Sequence, residues 1–413
     1  MLNLKTVIGS LFLSIFLFFL LGYRSFAQKP WYIFADLSSE YNDNIYWTKQ
    51  KEEEDLINRI SLGAGINFLE EHRKINFEYI SFFEIFSKNS EENSLSHTLS
   101  LDSLLEVSQN FKLGLKDKFI HSKEMSEIDI YGVKRKRQNY WKNKLSPSFE
   151  YTFGKNRSFK GMYFFNKTRF SRDSSQNSTE HRLETRLEYE INIRHAFTLG
   201  YTFTYGELSS NWGFLHGHSF LETYYFRFSP HTRTYISNTN SFNQYTSAKD
   251  NKTYNFVAGL EHEFSKRFSC DANGGVYFYK VEDRRTTKSF SGTLSLKYLF
   301  ERSQFNLVAQ RGVREILFTT TNLGLNTYWS VDGTFTHKLS KYLDTTLSVG
   351  YSESKFKYID REDKFWRGSF GINYIPRKWF KAYLLYRYNS LDTNLSKEGY
   401  DVNRIMVGVR FTY

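Results

Sequence analysis

Cysteine is almost missing: Cys270 stands alone in 413 residues. A single thiol forms no intrachain disulfide and supplies no zinc-finger spacing. Proline is nearly as scarce, with four, and no Pro/Gly/Ser-rich linker divides the chain. Beyond residue 21 no apolar run approaches the ~20 residues that a spanning helix needs. Mean hydropathy is −0.55, which excludes a helical membrane protein. A phosphate-binding glycine loop, a G-x-S-x-G elbow and paired-cysteine motifs are absent too. What abounds is aromatic: 40 Phe and 30 Tyr take the aromatic share to 19%. That excludes a disordered chain.

The N-terminus reads as an export signal. Lys5 precedes an apolar stretch from Val7 to Leu21, and Ser25-Phe26-Ala27 offers small residues at a cleavage site. Residues 1–27 are expected to be a cleaved signal peptide and 28–413 one barrel domain. Net charge is +12 for the whole chain, and +10 without Lys5 and Arg24, because residues 1–27 hold no acid. An exported basic protein seldom meets nucleic acid, so anionic lipopolysaccharide or an anionic polymer is the expected counter-charge.

The remaining chain alternates. In the last segment Ile405, Val407, Val409, Phe411 and Tyr413 share one strand face; Arg404, Met406, Gly408, Arg410 and Thr412 share the other. Leu183 to Ile193 repeats the pattern, opposing Leu183, Thr185, Leu187 and Tyr189 to Arg182, Glu184, Arg186, Glu188 and Glu190. A first extended stretch covers Trp31 to Trp47. Short turns near Glu70–Arg73, Gln109-Asn110, Gly154–Arg157, Pro230 and Pro376 alternate with longer polar connections. The unit is strand, short turn, strand, long loop. Nine such hairpins between two single strands make about twenty strands (18 to 20). An all-β, transmembrane, up-and-down antiparallel barrel fits, with short periplasmic turns and longer outer loops. A propeller of similar period would need twice the strand density.

The C-terminal strand resembles the assembly signal of bacterial outer-membrane barrels, with Gly408, Phe411 and Tyr413 matching and Met406 standing where a polar residue is usual. It implies the outer membrane as location and the barrel-assembly machinery as partner. Near the N-terminus Tyr41-Asn42-Asp43-Asn44-Ile45, with Thr48 and Asp55, is similar to the opening of the "putative β-barrel porin 2" family. That resemblance implies an outer-membrane barrel taking part in exopolysaccharide export. Asp43 and Asn44 read either as a functional contact or as turn-forming side chains.

Parity assigns the candidate lumen lining: Arg182, Glu184, Arg186, Glu188, Arg227, Lys297, Arg367, Lys381, Tyr383, Arg387, Arg404 and Arg410, with Glu150 and Glu190 beside them. Tyr383 is a candidate for stacking on sugars. His216-Gly217-His218 is two ligands without a third, so no metal is expected. Glu52–Asp55 lacks the spacing of a calcium loop. Lys134–Arg137 suits lipopolysaccharide phosphates or a plain loop tip. No catalytic residue or cofactor is expected. The leading expectation is a channel for polar material, with periplasmic export components as partners. The alternatives are a non-conducting surface or structural barrel, favoured if the Arg/Glu face knits the lumen shut, and an outer-membrane lipid hydrolase with a Ser/His pair.

Overall fold

The computed structural model describes residues 30–123, 137–172, 177–208, 212–318, 323–395 and 397–413. The expected signal peptide and Lys134–Lys136 lie outside them. Twenty strands succeed one another: β1 Trp31–Asn42, β2 Asp55–Glu70, β3 Arg73–Phe86, β4 Ser94–Ser108, β5 Phe111–Ser122, β6 Tyr140–Gly154, β7 Arg157–Phe170, β8 Ser178–Glu190, β9 His195–Leu208 and β10 Gly213–Ser229. The second ten are β11 Thr232–Tyr245, β12 Asn251–Ser265, β13 Phe268–Val281, β14 Thr287–Leu299, β15 Ser303–Ile316, β16 Gly324–Lys338, β17 Leu343–Phe356, β18 Glu362–Arg377, β19 Phe380–Thr393 and β20 Tyr400–Thr412. Each pairs antiparallel with its sequence neighbours, and β1 pairs with β20, so the sheet closes. Twenty strands ~4.8 Å apart and tilted ~40° make a ring roughly 40 Å across its backbone.

The two faces separate as alternation demands. Outward side chains are large and apolar, among them Ile33, Leu37, Leu62, Leu183, Phe220, Phe256, Val349, Ile405 and Val407, all exposed in the isolated chain. Inward on β1 stand Asp36, Ser38, Glu40 and Asn42, all buried. A soluble fold would turn the apolar set to a dry centre; here it faces out, as lipid requires. Tyrosines and tryptophans flank this band. At the turn end Trp31 packs on Tyr413 at 5.9 Å. Towards the loop end outward tyrosines bond to histidines: Tyr79 to His97 at 2.8 Å and Tyr163 to His181 at 2.6 Å. The outward face is not wholly apolar. Asp117 sits on it and accepts from Asn143 Nδ2 at 2.7 Å, and Glu222 accepts from Asn238 Nδ2 at 3.3 Å. Each carboxylate has a neighbouring amide, which lowers the cost of placing it there.

Two details depart from the sequence pattern. The first strand ends at Asn42 instead of running to Trp47, and residues 43–47 turn inward. Pro376 lies inside β18, where the β18–β19 ladder jumps from Tyr374 to Arg377; the proline occupies an irregularity where no ladder donor is needed.

Barrel closure rests on a glycine. Tyr383 on β19 lies over Gly408 on β20, and a Cβ added there would meet its ring at 2.5 Å and Ser38 Cβ at 2.9 Å. The Tyr383 hydroxyl donates to Asp36 Oδ1 at 2.8 Å, and Arg410 Nε donates to Asp36 Oδ2 at 2.9 Å. Three strands at the seam are thus tied by one carboxylate. Gly408→Val is expected to lower the temperature at which the detergent-folded barrel loses its compact gel mobility, because the ring must leave the inner wall.

Candidate functional site: the lumen and the hairpin that crosses it

The inner wall is a ladder of ion pairs. Lys112 binds Glu106 at 2.5 Å. Lys160 binds Glu188 at 2.9 Å and Glu150 at 3.4 Å. Arg186 reaches Glu188 at 3.0 Å and Arg182 reaches Glu184 at 3.1 Å. Arg233 grips Glu261 at 2.5 Å and Arg367 reaches Asp332 at 2.5 Å, over Gly350. Among the described residues these pairs join groups on one strand or on strands close together. They coat the wall and do not span the lumen. Arg59 and Glu84 form a further pair.

The register places all twelve candidate lining residues opposite the apolar band, and they fall into separate groups. Arg182, Glu184, Arg186 and Glu188 line β8. Arg227 and Lys297 flank a recess at the turn end, with Arg233 and Glu261. Arg367, Arg387 and Arg404 converge on another recess of about 590 Å³ with Trp47, Phe365, Asp332 and Asn389. Arg404 also stands over the Trp47 ring at 5.7 Å and 3.9 Å from Glu40. Lys381, Tyr383 and Arg410 sit at the seam, where Tyr383 is committed to Gly408 and Asp36.

Sequence parity missed a hairpin that parts from the wall on its β14 side, while β16 stays paired to β17 as far as Asn326↔Phe356. The β14–β15 ladder runs from Leu299↔Gln304 to Gly292↔Arg311 and stops. Both strands continue: β14 back to Thr287, still on β13, and β15 on to Ile316, still on β16. The outer part of the β15–β16 hairpin bends inward. Its nominally outward residues Val313, Glu315 and Leu325 therefore meet the inner faces of other strands. Leu325 packs with Tyr277, Tyr279 and Val281 of β13. Glu315 accepts from Asn251 Nδ2 at 2.7 Å, and also from Asn243 and the Tyr245 hydroxyl. Phe318 reaches Leu208 and Leu215 on β9 and β10, against Gly206, where no side chain stands in its way. Five strand spacings of ~4.8 Å make this an arch over about 24 Å of wall.

The neighbouring loops brace the arch. Tyr358 donates to the Lys249 carbonyl at 2.9 Å and accepts from Asn251 Nδ2 at 3.0 Å. Burial raises its hydroxyl well above the usual phenol range, so it remains a donor. Trp212 meets Tyr358 and Tyr245 edge-on at 4.7 and 5.2 Å. Arg284 Nη1 caps the Lys357 carbonyl at 2.5 Å.

The barrel is large and antiparallel, closed on itself, apolar outside and charged inside, with Pro30 and Tyr413 at the short-turn end. Residues 222–413 match the family model "Putative beta-barrel porin 2". The protein is a bacterial outer-membrane β-barrel. Solved barrels share its fold. The siderophore receptor PirA from Pseudomonas aeruginosa superposes with a TM-score of 0.53 at 9% identity, covering 94% of this chain and 81% of that one. PirA from Acinetobacter baumannii gives 0.52 at 7%, covering 94% and 81%. The ferric enterobactin receptor PfeA from Pseudomonas aeruginosa gives 0.52 at 10%, covering 92% and 81%. At these identities the likeness is one of architecture. No curated protein matches the chain.

The remaining sequence candidates are absorbed by structure. Asn44 is fully buried, its Nδ2 donating to the carbonyls of Thr48 and Asp401 at 2.7 and 2.9 Å. Its Oδ1 accepts from Thr48 N at 2.9 Å. Asp43 accepts from Asn403 N and Nδ2, both at 2.7 Å. Asp55 accepts from the backbone N–H groups of Ser87, Lys88 and Asn89 at 2.9 to 3.0 Å. The stretch that resembles the porin family is thus a clasp at the loop end, holding β1 to β20 and β2 to the β3–β4 loop. In the Glu52–Asp55 run, Glu54 takes Lys88 at 2.5 Å and Tyr41 at 2.6 Å, which hold its carboxyl below the usual range. His218 is bound to Tyr201 at 2.9 Å on the outward face. Arg137 pairs with Glu92 at 3.2 Å and stands over Phe86. Ser303 lies 2.7 Å from His337, also outward, and the described contacts place no carboxylate behind that histidine.

Proposed function

We propose that the barrel is an outer-membrane channel for polar, polymeric material, most concretely an exopolysaccharide on its way out. One observation carries this reading: the lumen ion pairs run along the wall and none among the described residues crosses it, so they coat a passage instead of sealing it. A wall on which many donors and acceptors already serve each other offers a hydroxylated polymer many weak contacts and few strong ones. Conduction needs that balance. The recess of Arg367, Arg387 and Arg404 beside Trp47 suits a uronate or other acidic sugar, with the indole available to an apolar ring face. In this reading polysaccharide and periplasmic export components meet the barrel at its turn end, while lipopolysaccharide surrounds it. Catalysis has no part in it.

The test is conductance of the purified barrel in a planar bilayer, followed by block with soluble anionic oligosaccharide. The expected result is discrete openings with partial block, relieved by Arg387→Gln with Arg404→Gln. A barrel that never conducts, with or without the β15–β16 hairpin, contradicts the channel. Unchanged polymer secretion in a deletion strain, with altered adhesion, favours a surface role. The inward arch is the feature that suits a non-conducting barrel, so the same experiment separates the two readings.

A further inference from the structure

The ladder between β14 and β15 is unfinished, and the sequence holds the means to finish it. Residues 287–291 of β14 keep β13 on one side and, among the described residues, have no ladder partner on the other. An open strand edge in a membrane wall is unfavourable, because lipid satisfies no backbone group. Phe290, on the lipid side of that edge, is 70% exposed.

Antiparallel register is additive, so the observed pair Gly292↔Arg311 fixes the next partners along a continued ladder. Phe290 would oppose Val313, and Lys288 would oppose Glu315. Both pairs fall on the outward face: an apolar pair within the bilayer band and an opposite-charge pair nearer the rim. In the structure these partners are apart. Lys288 Nζ stands over the Phe278 ring at 5.7 Å, while Glu315 is held by Asn243, Tyr245 and Asn251. Glu315 therefore has two complementary environments, one inside the lumen and one in the wall.

We propose that the outer half of the β15–β16 hairpin exchanges between these two docking sites. Tucked, it arches over the inner faces of β13 to β10 and narrows the passage. Zipped, it completes the β14 ladder through Phe290–Val313 and Lys288–Glu315 and clears the passage. The exchange itself stands on register and contacts alone; its consequence for flow rests on the channel reading.

Cysteine pairs in a Cys270→Ser background test it in intact outer membranes. Phe290→Cys with Val313→Cys reports the zipped state, and Asn243→Cys with Glu315→Cys the tucked state. Heat-dependent gel mobility confirms that each variant is folded. Both cross-links are expected under mild oxidation. Lys288→Glu should cut the zipped yield by about threefold, since like charges then face each other across the ladder. Asn251→Ala, which removes a tucked-state partner, should raise it. If the tucked pair cross-links fully and the zipped pair never does, or if Lys288→Glu changes nothing, the exchange is wrong. If both cross-links form as expected but locking either state leaves an open conductance unchanged, the exchange stands and its effect on flow is wrong; if neither locked state conducts, the exchange stands and the channel reading falls.

Discussion

Replacing residues 313–327 with a two-residue Asn-Gly turn should raise single-channel conductance by roughly threefold or more. The reasoning is geometric. Gly312 and Tyr328 pair directly, so the shortened hairpin can still close. Everything removed lies beyond the point where β15 leaves β14, and it includes Glu315, which anchors the arch, and Leu325, which packs on β13. The ion-pair ladder of the wall is untouched, and barrel closure at β1–β20 lies five strands away, a quarter of the way round the ring. Stability should therefore change little while the passage widens. Equal conductance before and after deletion would mean that the narrowest point lies elsewhere, with the Trp47 loop against Tyr400 the next place to look, their rings 5.0 Å apart.

The second large effect concerns the clasp. Asn44→Ala removes three hydrogen bonds from a fully buried position and leaves Thr48 N and two carbonyls without their partner. Each unsatisfied buried group costs about 1–3 kcal/mol, so an overall loss of roughly 3 kcal/mol or more is expected, allowing for partial hydration of the loop. The readout is the temperature at which the folded form disappears on a detergent gel. Asn44→Asp should be nearly as damaging. It retains the acceptor for Thr48 N but sets a carboxylate against two carbonyl oxygens. If Asn44 instead served a ligand, Ala would alter binding and leave the melting temperature unchanged.

Strand number, hairpin order and the two faces were legible because the barrel has a period of two from one end to the other. Leu183 to Ile193 and Ile405 to Tyr413 show it without ambiguity. The short turns were legible from polar pairs such as Gln109-Asn110. Pro376 misled because a turn residue can also sit at a ladder irregularity. The clasp was visible as a motif but not as a device, since the bonds from Asn44 to Asp401 and from Asp43 to Asn403 span most of the chain. The arch was invisible for a different reason. Parity assigns Val313, Glu315 and Leu325 to the lipid face, and it holds only while a strand stays in its sheet. The available signal was a pair of charges, Arg311 and Glu315, on an otherwise apolar outward row.

The account depends on which half of each strand meets water. Single cysteines at residues 183 to 188, in a Cys270→Ser background, should settle it when probed in the outer membrane with a small charged maleimide. Labelling at 184, 186 and 188 with protection at 183, 185 and 187 is the expected pattern. Uniform labelling, or labelling of the odd positions alone, would contradict it.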